Sequence, residues 1–154
     1  MISQRDTELL RQAVELADLS PQNAASFSVG ALIASQDGHV LATGYTREFG
    51  ENWHAEEVAI EKARQSGISL AGRVLYSSLE PCGQRLSGRT CCAKHIIDAG
   101  ISRVIYCLGE PPIFVHPRGR QLLEEAGVTV ESDERFADAV LRNNVQAFTA
   151  GRQR

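Results

Sequence analysis

Three short stretches of this chain carry residue types that hold metals and move protons: His54-Ala55-Glu56, Pro81-Cys82 and Cys91-Cys92. Each stands at the expected start of a helix or follows an expected strand. A helix start offers unpaired N–H groups and a partial positive charge, and both favour thiolate over thiol. One imidazole and two thiolates make three protein ligands, so a tetrahedral Zn²⁺ held by them keeps one position open for water. Zinc draws the pKa of such a water towards ~7. Two anionic thiolates offset part of the metal's charge, which makes a neighbouring carboxylate important. Glu56 lies two residues beyond His54 and faces another part of the helix, so it suits proton transfer better than ligation.

Spacing alone leaves the second sulfur open. Eight residues separate Cys82 from Cys91, and nine separate it from Cys92. His95 competes for the metal because it lies three positions after Cys92 on the same helix face. Cys107 falls in an apolar strand and reads as a small hydrophobe. His39 follows a turn and is expected in solvent.

The elements that must position these groups follow from apolar periodicity and from Gly and Pro punctuation. Helical spacing runs from Thr7 to Asp18 and stops at Ser20-Pro21. Val29–Ala34 and Val40–Thr43 read as strands joined by the turn Gln36-Asp37-Gly38. A helix is expected from His54 to Gln65, closed by Gly67. Val74–Ser77 reads as a buried strand, Cys92–Ala99 as a helix ended by Gly100, and Val104–Cys107 as a strand. Arg118–Ala126 is expected as a helix ended by Gly127, before a short strand at Val128–Val130. Two consecutive helix–Gly–strand units imply right-handed crossovers and parallel pairing. A last helix is expected from Asp133 to Thr149, with Phe136, Val140, Leu141, Val145 and Phe148 on one side. The sum is an α/β layered domain over residues 1–154 that opens with an antiparallel hairpin.

Composition bounds the partners. The chain has 154 residues, 43% hydrophobic and 23% charged, with a net charge of −3. That balance gives no cationic field for nucleic acid or an anionic membrane. No segment approaches the ~20 apolar residues of a membrane span, and the charged N-terminus lacks a signal-type apolar run. Clustered cysteines in such a chain point to a reducing, cytoplasmic setting and to metal chemistry rather than disulfides.

The ordered set His-x-Glu, Pro-Cys, Cys matches the zinc deaminase signature, in which the Glu is the acid/base and not a ligand. The chain resembles the cytidine and deoxycytidylate deaminase superfamily, and within it the pyrimidine deaminases of riboflavin biosynthesis, chiefly the stand-alone fungal type. SFSVGALIA, TGYTREFGENWHAEE, LEPCGQRLSGRTCCAKHI and VHPRGRQLLEEAGVTV carry the resemblance across residues 26 to 130. It implies a three-layer cytidine-deaminase-like fold with a central five-stranded mixed sheet flanked by helices. It also implies a homodimer or higher homo-oligomer, one zinc per subunit, and hydrolytic loss of ammonia from a diaminopyrimidinone bearing a ribosyl or ribityl 5′-phosphate. By motif position His54, Cys82 and Cys92 take the ligand role and Glu56 the proton shuttle. Cys92 is preferred to Cys91 because the ligand in that segment comes eight residues before the helix-ending Gly, here Gly100.

Two positions depart from the pattern. Ser26 stands where relatives often carry an Asn that contacts sugar or ring, and the bulky Trp53 precedes the zinc His. For substrate contacts the candidates are Ser26, Arg47, Asn52, Trp53, Arg85, His116 and Arg118. Three rival readings share some of these residues. One is a deaminase of cytidine, deoxycytidylate or guanine. Another is a structural zinc module closed by Cys82, Cys91 or Cys92, His95 and Cys107. The third, nucleic-acid editing, is disfavoured by the acidic balance.

Overall fold

Ser3 starts the first helix. Its hydroxyl accepts from the Asp6 N–H at 3.1 Å, and the Asp6 carboxylate accepts from the Ser3 N–H at 2.9 Å. This reciprocal cap sets α1 at Gln4–Leu16, three residues before the apolar spacing alone predicts, and α1 buries Leu9, Leu10, Ala13 and Val14. The computed structural model describes residues 1–152.

Five strands follow: β1 (Gly30–Ala34), β2 (Val40–Tyr45), β3 (Val74–Leu79), β4 (Arg103–Leu108) and β5 (Thr129–Ser132). They form one sheet in the order β2-β1-β3-β4-β5. β1 pairs antiparallel with β2 and β3, while β3–β4 and β4–β5 pair parallel, as the crossovers require. Between the strands lie α2 (Ala55–Gln65), α3 (Cys92–Asp98) and α4 (Gly119–Glu125). Gly100 takes φ +79 directly after α3, the left-handed turn that a helix-ending glycine supplies without a Cβ clash.

Period-two alternation sends β residues to opposite layers. Leu32, Val74, Tyr76, Ile105 and Cys107 pack with α1 on one face. Ile33, Leu75, Val104 and Tyr106 pack with Ala59, Ile96 and Leu123 of α2, α3 and α4 on the other. Each fully buried aliphatic side chain of this kind contributes about 1.5–3 kcal/mol.

The last segment differs from expectation. A 3₁₀ turn at Glu134–Phe136 leads into α5 (Ala137–Arg142), and α6 (Val145–Arg152) begins only after a break. Asn144 stands at the break. Its side-chain amide accepts from the Ser28 N–H at 2.6 Å and donates to the Ser28 carbonyl at 3.1 Å and the Val140 carbonyl at 2.9 Å. The apolar stripe is lost with the straight axis: Val140 is buried, whereas Leu141 and Val145 are exposed.

The register places the C-terminal ends of β2, β3 and β4 and the N-terminal end of β1 at one edge of the sheet. The loops before β1, after β2, after β3 and after β4 therefore meet there, and α2 and α3 begin from two of them.

Candidate active site

His54 occupies the cap position of α2, extended at φ −86 and ψ 156. Its N–H is held by the Glu57 carboxylate at 3.1 Å, which fixes where the imidazole leaves the chain. Cys82 follows β3, and its carbonyl accepts the Ala93 N–H at 3.0 Å, docking the first turn of α3 onto the Cys82 loop. Gly119, at the start of α4, lies against the same loop so closely that a Cβ there would stand 1.6 Å from the Pro81 carbonyl oxygen. The Cys92 N–H points at Cys82 Sγ, 3.2 Å away.

These contacts bring three donors together. His54 Nδ1 is 3.5 Å from Cys82 Sγ and 3.3 Å from Cys92 Sγ, and all three atoms lie within 4.8 Å of one another. Zn–N and Zn–S bonds of about 2.0 and 2.3 Å at tetrahedral angles put nitrogen and sulfur about 3.5 Å apart. The donor set therefore fits zinc in both type and spacing. The Cys92 side chain and His54 draw the Cys82 thiol down towards thiolate, while burial pushes Cys92 up. Cys91, the residue that spacing could not separate from Cys92, is the cap of α3 and only half-buried.

Among the described residues the metal-type cluster is His54, Cys82 and Cys92. Cys107 packs on the α1 face of the sheet, and burial raises its thiol to about 11. His95 instead lies 3.4 Å from Glu57 Oε2. Neither residue closes a fourth ligand position. His39 is exposed and pairs with Asp37.

Glu56 is buried beside the donors, with Ser77 Oγ 2.9 Å from its Oε1. Burial raises its carboxyl, and the Cys82 charge adds to that, against the lowering effects of Cys92, His54 and Ser77. A cavity of about 190 Å³ opens beside this group, with His54, Glu56 and Cys82 among the residues that line it. Ser26 and Asn52 line it, as does Arg85. The Arg85 guanidinium is engaged at 3.0 Å by Glu57 and at 3.2 Å by the Thr90 carbonyl, and it also donates to the Asn52 carbonyl. Arg47 stands behind Ser26, donating to its hydroxyl at 2.7 Å. Trp53 packs edge-on against Phe49 with Arg89 over its ring. Arg118 borders a neighbouring shallow groove with Glu80 and Arg120, and His116 lies outside both lining sets.

Two acids escaped the sequence reading. Glu57 binds the His54 amide, Arg85 and Arg89. Its place three residues into a helix capped at His54 was a readable capping signal. Glu110 faces the cavity from just beyond β4. Burial first, then the Cys82, Glu80 and Glu56 charges, raise its carboxyl to about 8. Its Oε2 is buried without a partner among the described residues. The signal was a carboxylate directly after a parallel strand, where ligands of open α/β sheets gather.

Residues 3–108 match the model of the cytidine and deoxycytidylate deaminase zinc-binding region. The chain belongs to this family. It is 39% identical over 141 residues to the diaminohydroxyphosphoribosylamino-pyrimidine deaminase of Schizosaccharomyces pombe, covering 90% of this chain and 35% of that protein. It is 34% identical over 113 residues to the riboflavin biosynthesis protein RibD of Escherichia coli, covering 73% of this chain and 29% of that one. The chain thus spans about a third of the length of these curated relatives. Its fold matches the Aspergillus oryzae Rib2 deaminase in complex with DARIPP at a TM-score of 0.83 and 26% identity, covering 97% and 95% of the two chains. A cyanophage S-TIM5 dCMP deaminase bound to dCMP and dUMP matches at 0.67 and 26% identity, covering 86% and 98%. The five-stranded mixed sheet flanked by helices is the fold of these deaminase structures.

Proposed function

We propose that this chain, as one deaminase domain, hydrolytically removes the exocyclic amine of a diaminopyrimidinone bearing a ribosyl or ribityl 5′-phosphate. The observation that carries the reading is the His54–Cys82–Cys92 donor set at zinc spacing with buried Glu56 beside it, lining the same cavity. Similarity to the fission-yeast pyrimidine deaminase supports the substrate class. His54, Cys82 and Cys92 hold one zinc per subunit, which when bound supplies Lewis-acid activation of a water.

Glu56 takes one proton from the attacking water and gives it to the ring nitrogen as the water oxygen bonds to the amine-bearing carbon. It then moves the second water-derived proton to the amine, so that the C–N bond breaks, ammonia leaves and a ring carbonyl remains. Ser77 orients the carboxylate. The half-enclosed cavity limits bulk water around the reacting carbon, and Ser26 and Asn52 present polar groups to ring or sugar. Charge balance and the absence, among the described residues, of a helix long and apolar enough to cross a membrane accord with a cytoplasmic enzyme. The same reading carries a homodimer or higher homo-oligomer, on the strength of the sequence resemblance alone.

The test is ammonia release by the zinc-loaded chain from ribosyl and ribityl diaminopyrimidinone phosphates, deoxycytidylate, cytidine and guanine. The diaminopyrimidinones are expected to turn over best, and cytidine in that place would overturn the substrate class. Glu56→Gln is expected to lower turnover about 10²–10⁴-fold with zinc content and folding unchanged. Near-normal activity would remove the shuttle role.

A further inference from the structure

Arg47 has φ +67, the one positive value at a non-glycine position among the described residues. That conformation is strained for a residue with a Cβ and persists where its surroundings hold it. What holds it is visible on both sides. Its N–H donates to the Trp53 carbonyl at 2.8 Å, one residue before His54. Its guanidinium crosses to the irregular segment ahead of β1. There Nη1 donates to Ser26 Oγ at 2.7 Å, and Nη2 reaches Ser20 Oγ and Ser28 Oγ, each at 3.3 Å, and the Pro21 carbonyl.

Every one of these side-chain partners is neutral, and every one lies in residues 20–28. The segment carries Ala25, Ser26 and Phe27, which form one wall of the cavity. Its far end is fixed separately, by Asn144 at Ser28 and by Phe27 packing on Phe114 at 5.0 Å. Gln22 anchors its near part to the C-terminal segment, donating to the Arg142 carbonyl at 2.9 Å and accepting from the Gln146 N–H at 3.3 Å, and Ser28 Oγ bonds the Pro21 carbonyl at 3.1 Å and accepts from Ser20 at 3.2 Å. Around Ser26 itself, the side-chain contacts are those of Arg47 and a local bond from the Ala25 N–H to Asn23 at 2.6 Å.

We propose that Arg47 is a positioning residue for substrate binding. Through Ser26 it sets where the Ala25–Phe27 wall stands relative to the metal-holding end of α2. It does not enter the cavity, so it governs affinity and leaves the proton transfers of Glu56 alone. The claim about affinity rests on the deaminase reading, whereas the claim about the wall does not. The fork of five fixed donors on Arg spans these acceptors, and a single ammonium does not.

Arg47→Gly is the informative variant, because glycine adopts φ +67 without strain while the guanidinium is lost. Amide hydrogen exchange in residues 22–27 is expected to quicken about tenfold with β3 unaffected. In zinc-loaded protein, KM for the diaminopyrimidinone phosphate is expected to rise roughly tenfold with kcat within about threefold. Arg47→Lys is expected to fall between Arg47→Gly and the parent chain in both measures. Ser26→Ala, which removes one acceptor and leaves the Arg47 backbone intact, is expected to quicken exchange in the same residues by less. Unchanged exchange in Arg47→Gly and Ser26→Ala overturns the positioning role. Quickened exchange with kcat falling and KM constant overturns its link to affinity. A parent chain that releases no ammonia would sink the deaminase reading, while exchange still decides whether Arg47 holds the wall.

Discussion

Asp6 sits on the sheet face opposite the metal donors and is the centre of a buried polar cluster there. Tyr76 donates to it at 2.6 Å, and Arg103 contacts both its oxygens at 3.1 and 3.0 Å. Burial alone would raise its carboxyl, but Arg103, the Ser3 amide and Tyr76 outweigh burial and hold it at about 2 against an ordinary 3.8. A depressed carboxylate adds stability above its unfolded pKa, and that stability is lost as pH falls through the folded value. The shift corresponds to about 2 kcal/mol. In urea unfolding, the stability gap between the parent chain and Asp6→Asn is expected to be full at pH 6 and to shrink between about pH 4 and 2. A gap constant over that range would contradict the assignment. At this same scale the sequence was legible where residue type alone restricts chemistry: His54, Cys82 and Glu56 announced themselves. It was silent where a role depends on a distant partner. Nothing near Arg47 in the chain says that its guanidinium will meet Ser26, and spacing could not separate Cys91 from Cys92.

Among the elements, the strands and the first four helices followed from periodicity because each buries one face against the sheet. The last helix failed for an identifiable reason. Its apolar residues fit a continuous helix, yet the Asn144 amide is drawn to Ser28, 116 residues away in sequence, and local pattern contains no trace of that bond. Asn144→Ala leaves the buried Ser28 N–H and carbonyl without that partner and is expected to destabilise the fold by about 3 kcal/mol. Denaturant unfolding measures it. An effect within experimental error would mean that the break between α5 and α6 has another cause.

At the level of the whole molecule, the sheet register gathers four loops at one edge, and the donor cluster joins two of them. Binding a metal there cross-links the start of α2 to the start of α3. A ligand that binds only the folded chain at ~100 times its Kd adds about 2.7 kcal/mol. Thermal unfolding with zinc and with a chelator is therefore expected to differ clearly. His54→Ala is expected to abolish the difference, and His95→Ala to keep it. The reverse pattern would revive a structural zinc module.

Trp53 is the chain's single tryptophan. Its indole adjoins the first donor residue, with the Phe49 ring 5.3 Å away and the Arg89 guanidinium 5.8 Å away. Indole fluorescence from this protein thus has one address. Because Trp53 immediately precedes His54, a change in that emission on adding zinc reports at the donor cluster itself, which makes the indole a built-in optical gauge of metal loading.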